Sequence, residues 1–342
     1  MNLNHGINLG GFLSQCEHNE HHYENFIVEQ DIKKIADCEF DHVRLPIDYE
    51  VLEDEKGNKK ESGYKIIDRI ISWCESYGLN IILDLHKAYG YDFNDAGNAE
   101  RNNLFTNESL QDRFINLWIN IAGHFAHNTN VAFELLNEVV EKENAALWNK
   151  LIARSVKAIR NIAKDTPIIY GGIQWNSANT LKLLDIPTDK NIIFTFHFYE
   201  PLLFTHQKAY WVAAMDKNET INYPETIEYY RTKSISLGYQ GEAVIKAHSK
   251  TMGEEFIEEM IHEAVLAAEN AGVGLYCGEF GVIDKAPILD TFEWFKDVDR
   301  VFRKHKIGWA LWTYKEKAFG LTGKHYKKIW NSLLSLWMRD CK

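Results

Sequence analysis

Hydrophobic positions along this chain fall into two alternating rhythms. Short β-branched or apolar runs occupy residues 6–10, 42–47, 79–86, 131–138, 167–171, 192–199, 273–280 and 308–314. Between them the apolar spacing changes to threes and fours: Ile66, Ile67, Ile70, Ile71 and Cys74 share one helical face, as do Leu110, Phe114, Leu117, Ile121 and Phe125. The same spacing predicts helices over 144–163, 254–271, 289–305 and 325–338. Strands alternating with helices imply βα units and a parallel sheet, and eight of them close most economically as an α/β (β/α)8 barrel. A doubly wound open sheet is the alternative, but no GxGxxG follows the first run to support nucleotide binding. One connection breaks the rhythm. Residues 200–252, between the sixth run and the next helix, are too many for a plain loop and predict a small inserted subdomain beside the strands' C-terminal ends.

Composition narrows the choice. A chain of 342 residues fits one barrel of the usual size, about 250 residues, plus an insert, and 45% hydrophobic residues with only 6 prolines can build its core. The formal charge of −11 comes from 49 acidic and 38 basic residues without a Lys/Arg block, which argues against nucleic acid as a partner. Cys16, Cys38, Cys74, Cys277 and Cys341 lack CxxC or zinc-ligand spacing and are expected to be free thiols. No window is apolar enough for a membrane span, and residues 1–6 carry no signal-peptide pattern, so a soluble monomer with no membrane partner is expected, its compartment open.

In such barrels catalytic groups gather where the strands end. Arg44 follows Val43 in the second run, His86 ends the third, Asn137 and Glu138 the fourth, His197 and Tyr199 the sixth and Glu279 the seventh, while Trp312 sits late in the eighth. A lone Arg or His at a strand end is more often structural. Eight such groups on one rim carry a large desolvation cost unless they bond each other or a ligand. Two facing carboxylates, Glu138 and Glu279, are what glycosidic cleavage requires: one protonates the leaving oxygen, the other attacks the anomeric carbon or activates water. Asp84 alternates with His86 and is expected to be buried and hydrogen-bonded below the rim. A metal-dependent hydrolase would want His-x-His on the first strand, which is missing. The His18-Asn19-Glu20-His21-His22 cluster is expected to lie in a solvated loop, and neither metal nor organic cofactor is expected.

These residues resemble glycoside hydrolase family 5, the large cellulase family, and within it the compact clostridial-type endoglucanases. The likeness is carried by Gly6-Ile7-Asn8-Leu9-Gly10-Gly11, Phe40-Asp41-His42-Val43-Arg44-Leu45-Pro46, Phe133-Glu134-Leu135-Leu136-Asn137-Glu138, Phe196-His197-Phe198-Tyr199, Thr205-His206-Gln207-Lys208-Ala209 and Leu275-Tyr276-Cys277-Gly278-Glu279-Phe280-Gly281. The resemblance implies a retaining mechanism with Glu138 as acid/base and Glu279 as nucleophile. It further implies Asn137 on the sugar's 2-hydroxyl, Arg44 and Tyr199 orienting the nucleophile, His86 and His197 lining the same subsite, and Trp312 beneath the sugar. Two positions depart from the family pattern: Val139 stands where proline is common, and Lys87 where many members have a second histidine. The substrate implied is a β-linked polysaccharide, β-1,4-glucan first. β-Mannan, β-1,3-glucan or xyloglucan cleaved by the same mechanism is the alternative, and a silent carbohydrate-binding barrel a third reading. Trp211 or Tyr210 of the insert is expected to wall the cleft.

Overall fold

The structure, a computed structural model, describes residues 1–338. Its eight strands are β1 (His5–Asn8), β2 (His42–Asp48), β3 (Asn80–Lys87), β4 (Val131–Glu134), β5 (Ile168–Gly171), β6 (Ile192–Phe198), β7 (Gly274–Phe280) and β8 (Gly308–Leu311). Each pairs in parallel with the next and β8 returns to β1, which closes the barrel. This is the (β/α)8 architecture that the periodicity predicts.

Side chains alternate inward and outward along each strand. Ile82, Ala132, Ile169, Tyr276 and Ala310, from β3, β4, β5, β7 and β8, meet in an apolar layer across the lumen. Two residues further along β3 and β4 the inward positions turn polar, with Asp84 and Glu134 both fully buried. Outward positions pack beneath amphipathic helices. Glu61–Ser76 buries Tyr64, Ile67, Ile70, Ile71 and Cys74, and Glu108–Phe125 buries Phe114, Leu117, Trp118, Ile121 and Phe125. The second of these starts at Asn107, whose side chain accepts from the backbone N–H groups of Ser109 and Leu110 and so satisfies two donors that a helix start leaves open.

The structure departs from the sequence reading in several elements. β4 stops at Glu134 and β8 at Leu311, so Glu138 and Trp312 lie on the loops beyond rather than on strands. A helix over Glu29–Asp37 follows β1, and only a 3-10 segment, Ala178–Leu183, lies between β5 and β6, packed on the helix Glu254–Ala271. The His18–His22 cluster is solvated as expected, with His18, Asn19, Glu20 and His21 exposed, but it is partly helical: Asn19 caps a short helix, Glu20–Asn25, and His22 Nε2 bonds the Gly11 carbonyl. The insert holds the helices Leu202–Thr205, Ile227–Ser234 and Glu242–Lys246. Gln207, fully buried, ties it together by donating to the Phe204 and Ile221 carbonyls at 3.2 and 2.9 Å and accepting from Ile221 N at 3.0 Å. Cys16, Cys38, Cys74 and Cys277 are free thiols, and Cys341 lies outside the described residues. No helix among those residues is long and apolar enough to cross a membrane.

Candidate active site

Arg44 is the centre of the site. Its guanidinium is fully buried, and all five N–H donors find partners: Nε and Nη2 donate to the two oxygens of Glu134 (2.7 and 3.0 Å), Nη2 also to Asn137 Oδ1 (2.9 Å), and Nη1 to Asn8 Oδ1 (2.9 Å) and Glu279 Oε1 (2.8 Å). Asp84 Oδ2 lies 3.0 Å from Nη2 as a sixth acceptor. The other oxygen of Glu279 accepts from Tyr199 Oη at 3.0 Å. Glu138 faces this carboxylate from the loop after β4, and its Oε1 lies 2.8 Å from His197 Nδ1. The same nitrogen is 3.7 Å from Glu279 Oε2, and carboxylate oxygens of the two glutamates stand within 4.8 Å of each other.

The glutamate loop is pinned from behind. Tyr91 Oη donates to the Glu138 carbonyl and accepts from Val140 N, so one phenol fixes the backbone on both sides of Val139. On the opposite wall the His86 ring lies parallel to Trp312, with centroids 5.9 Å apart and planes 3° off, while its Nδ1 meets Asp84 Oδ2 at 2.6 Å. Trp312 can enter because Gly10 has no side chain: a Cβ there would sit 2.8 Å from the indole Cη2.

All eight rim residues singled out from sequence, Arg44, His86, Asn137, Glu138, His197, Tyr199, Glu279 and Trp312, therefore belong to one connected cluster. Asp84 is buried below the rim, as the alternation with His86 suggested. Sequence reasoning missed Asn8, Glu134, Tyr91 and Trp175. The first two had a signal: each is a lone polar residue inside an apolar run, Ile7-Asn8-Leu9 and Phe133-Glu134-Leu135. Trp175 lies past β5, where three consecutive residues, Gln174, Trp175 and Asn176, adopt left-handed backbone angles, and its N–H bonds the Val139 carbonyl.

Electrostatics separate the two carboxyls. Burial pushes the Glu138 carboxyl well above its ordinary value, and the negative charge of Glu279 adds to the rise. Burial raises Glu279 too, but the Arg44 guanidinium and the Tyr199 hydroxyl pull it back, so Glu138 is the carboxyl that keeps its proton. Burial lowers His86 to about 4 and His197 well below the usual imidazole range, which leaves both rings neutral near neutral pH. Asp84, with Oδ1 unpartnered, is raised by burial to about 7.

Among the described residues, two groups of side chains have the spacing of a metal site. One is the Glu138, His197 and Glu279 cluster itself. In the other, His18, Asp48 and Glu50, both ring nitrogens of His18 are engaged, by Tyr23 Oη at 2.7 Å and Asp48 Oδ2 at 3.2 Å. The Asp48 contact holds the imidazole protonated, raised to about 9, whereas a metal ligand must be neutral. Lys87, the departure from the family pattern, is paired with Asp92 at 2.9 Å and reaches Asp48 at 3.8 Å.

Known proteins share this arrangement of sequence and fold. Cellodextrinase A of Ruminococcus flavefaciens is 40% identical over 303 residues, covering 88% of this chain and 82% of that protein. Endoglucanase C of Acetivibrio thermocellus is 37% identical over 342 residues, 98% of this chain and 97% of its own. Among solved structures, Thermotoga maritima Cel5A in complex with mannotriose superposes with a TM-score of 0.72 at 25% identity, covering 97% of this chain and 96% of that one. The cellulase profile, glycosyl hydrolase family 5, matches residues 7–318, and with these relatives it shows that the chain belongs to that family of glycoside hydrolases.

Proposed function

We propose that this chain is a retaining endo-β-1,4-glucanase in which Glu279 attacks and Glu138 exchanges the proton. The observation that carries the reading is the close pair of carboxylates with unlike surroundings. One oxygen of each carboxyl within 4.8 Å of the other suits a covalent route, for which about 5 to 5.5 Å between carboxyls is usual, better than an inverting pair at about 6.5 Å or more. In the first step Glu279 Oε forms a bond to the anomeric carbon as the bond to the leaving oxygen breaks, and that oxygen takes the proton from Glu138. In the second, Glu138 takes a proton from water, the water oxygen bonds the anomeric carbon, and the Glu279 ester breaks. Arg44 and Tyr199 donate to the attacking carboxylate and keep it anionic. Because Arg44 occupies Asn137 Oδ1, the amide Nδ2 is the group left for the sugar's 2-hydroxyl. Trp312, stacked on His86, offers the apolar face beneath that sugar. Trp211 of the insert, 46% exposed and packed on Phe319 and His206, and Tyr210, 85% exposed, wall the cleft further out.

Glu279→Ala is expected to abolish turnover, and added azide to restore release of a glycosyl azide of inverted configuration. Unchanged hydrolysis in that variant would end the assignment. The same chemistry on β-mannan is the second reading, favoured by the mannotriose complex of the Thermotoga relative. Product analysis on cellodextrin, mixed-linkage glucan and mannan oligosaccharides separates the two and distinguishes internal from terminal cleavage.

A further inference from the structure

We propose that Glu134 is a positioning residue for this reaction: it orients Arg44, and through Arg44 both Glu279 and Asn137. The inference rests on the two-glutamate reading above and follows from how one guanidinium is divided. Arg44 has five N–H donors in a rigid fork, and a single edge of that fork, Nε with Nη2, is gripped by both oxygens of Glu134. A bidentate contact fixes the guanidinium plane as well as its position. With that edge held, the remaining Nη2 proton meets Asn137 Oδ1 and the two Nη1 protons meet Asn8 and Glu279. No other neighbour does this. Asp84 offers one oxygen to Nη2 and gives the same oxygen to His86, while its second oxygen has no partner. Asn8 is committed to the Gly278 carbonyl at 2.9 Å through its own amide.

The placement suits an indirect role. Glu134 ends β4, level with Asp84 in the sheet and fully buried, one turn of chain before Asn137 and Glu138. Its two oxygens are both occupied by Arg44, so it has no acceptor to spare for substrate. Burial raises the Glu134 carboxyl and the paired Arg44 guanidinium pulls it back, and the negative charge so held competes with Glu279 for the same cation.

The test is a double-mutant cycle on an aryl cellobioside whose leaving group needs no proton, so that the rate reads the nucleophile's side of the reaction. Glu134→Gln keeps the shape and removes the charge. A misdirected Arg44 is expected to lower kcat by about 10²-fold with KM changed by less than about threefold. With one anion fewer on Arg44, Glu279 gains more of its charge, and the acidic limb of the pH profile moves to lower pH. In an Arg44→Lys background the further loss from Glu134→Gln shrinks to within about twofold, since the two residues act as a unit. Equal losses in both backgrounds, or wild-type kcat in folded Glu134→Gln, overturn the proposal. Should Glu134→Gln not fold, Glu134→Asp decides: it keeps the charge and withdraws the grip by one methylene, so kcat falls while the acidic limb stays, and wild-type kcat there also overturns it. Labelling the wild-type enzyme with a 2-fluoro cellobiosyl inactivator checks the underlying reading separately. Label away from Glu279 would end that reading, while the cycle on kcat still judges Glu134.

Discussion

Three carboxyl groups, those of Asp84, Glu134 and Glu279, are buried around one guanidinium, and the partly buried Glu138 faces Glu279 beside them. So many negative charges cannot all persist in a dry interior, and the hydrogen bonds decide which give way. Glu134 and Glu279 each meet donors on both oxygens, whereas Glu138 meets only a neutral histidine. Glu138 therefore keeps its proton, as an acid for glycosidic cleavage must, and folding bears the consequence. In the unfolded chain it ionises near 4.5, and in the folded chain well above. Below its unfolded value both states are protonated and the full stability is present. As pH rises the unfolded state releases a proton that the folded state keeps, so stability falls until the folded value is passed. Glu138→Gln cannot titrate and should be more stable than the parent by an increment that grows at up to about 1.4 kcal/mol per pH unit above the unfolded value. Urea denaturation across that range measures it, and parallel stability curves for the two proteins would refute the assignment. At this scale the sequence revealed the polar residues that end apolar runs. It hid those, such as Asn8 and Glu134, whose only signal is being the wrong kind of residue in a core position.

Strand geometry decides where those residues aim. Along β7, Tyr276 faces the lumen and Cys277 the helices, so strict alternation would turn Gly278 inward and Glu279 outward. The pairing with β6 slips here: Phe196 matches Cys277, and His197 matches Glu279, so Gly278 is the extra residue of a bulge. Glu279 is thereby returned to the lumen opposite Glu138. A bulge of this kind leaves no trace in a hydrophobic pattern, which is why the run was legible as a strand while its facing was not. Glycine at the bulge is also a matter of space, because a Cβ on Gly278 would stand 2.9 Å from Thr195 Oγ1 and 3.3 Å from His197 Nε2. Gly278→Ala should push the His197 ring off Glu138 and lower kcat by about 10²-fold, at a stability cost of about 1–3 kcal/mol. Kinetics and thermal melts on one preparation measure both, and a variant with wild-type turnover would show that the slot is not needed. The shortened β4 has a related cause. Beyond Glu134 its chain bonds Leu85 and Ile169 on either side without a ladder, which frees Asn137 and Glu138 to turn over the lumen.

Over the whole molecule, the insert joins parts of the rim that the barrel keeps apart. Its first turn rests on the catalytic wall, with His206 edge-on to Tyr199 at 4.9 Å and Trp211 against Phe319 beyond β8. Its later 3-10 segment, Ile235–Gly241, reaches the loop after β5, where Tyr239 meets Trp175 at 6.2 Å. The closed ring was readable because eight apolar runs recur with helices between them. The insert's shape was not, because short helices joined by irregular chain have no period, and a single buried side chain, Gln207, fixes much of its first turn. Trp175 is bonded through its backbone to Val139, the residue after Glu138. With Glu138 as the proposed group that protonates the leaving sugar, the Trp175 and Tyr239 pair is expected to border the path of the departing chain. An aromatic face in that place adds on the order of 1 kcal/mol per stacked ring, and that energy is available only to substrates long enough to reach it. Trp175→Ala is therefore expected to lower kcat/KM on cellopentaose by about five- to tenfold while changing an aryl cellobioside by less than about twofold. Steady-state rates on the two substrates make the comparison. Equal losses would mean that Trp175 supports the fold of the loop rather than the grip on the sugar chain, since a disordered Val139 segment would disturb Glu138 for every substrate alike.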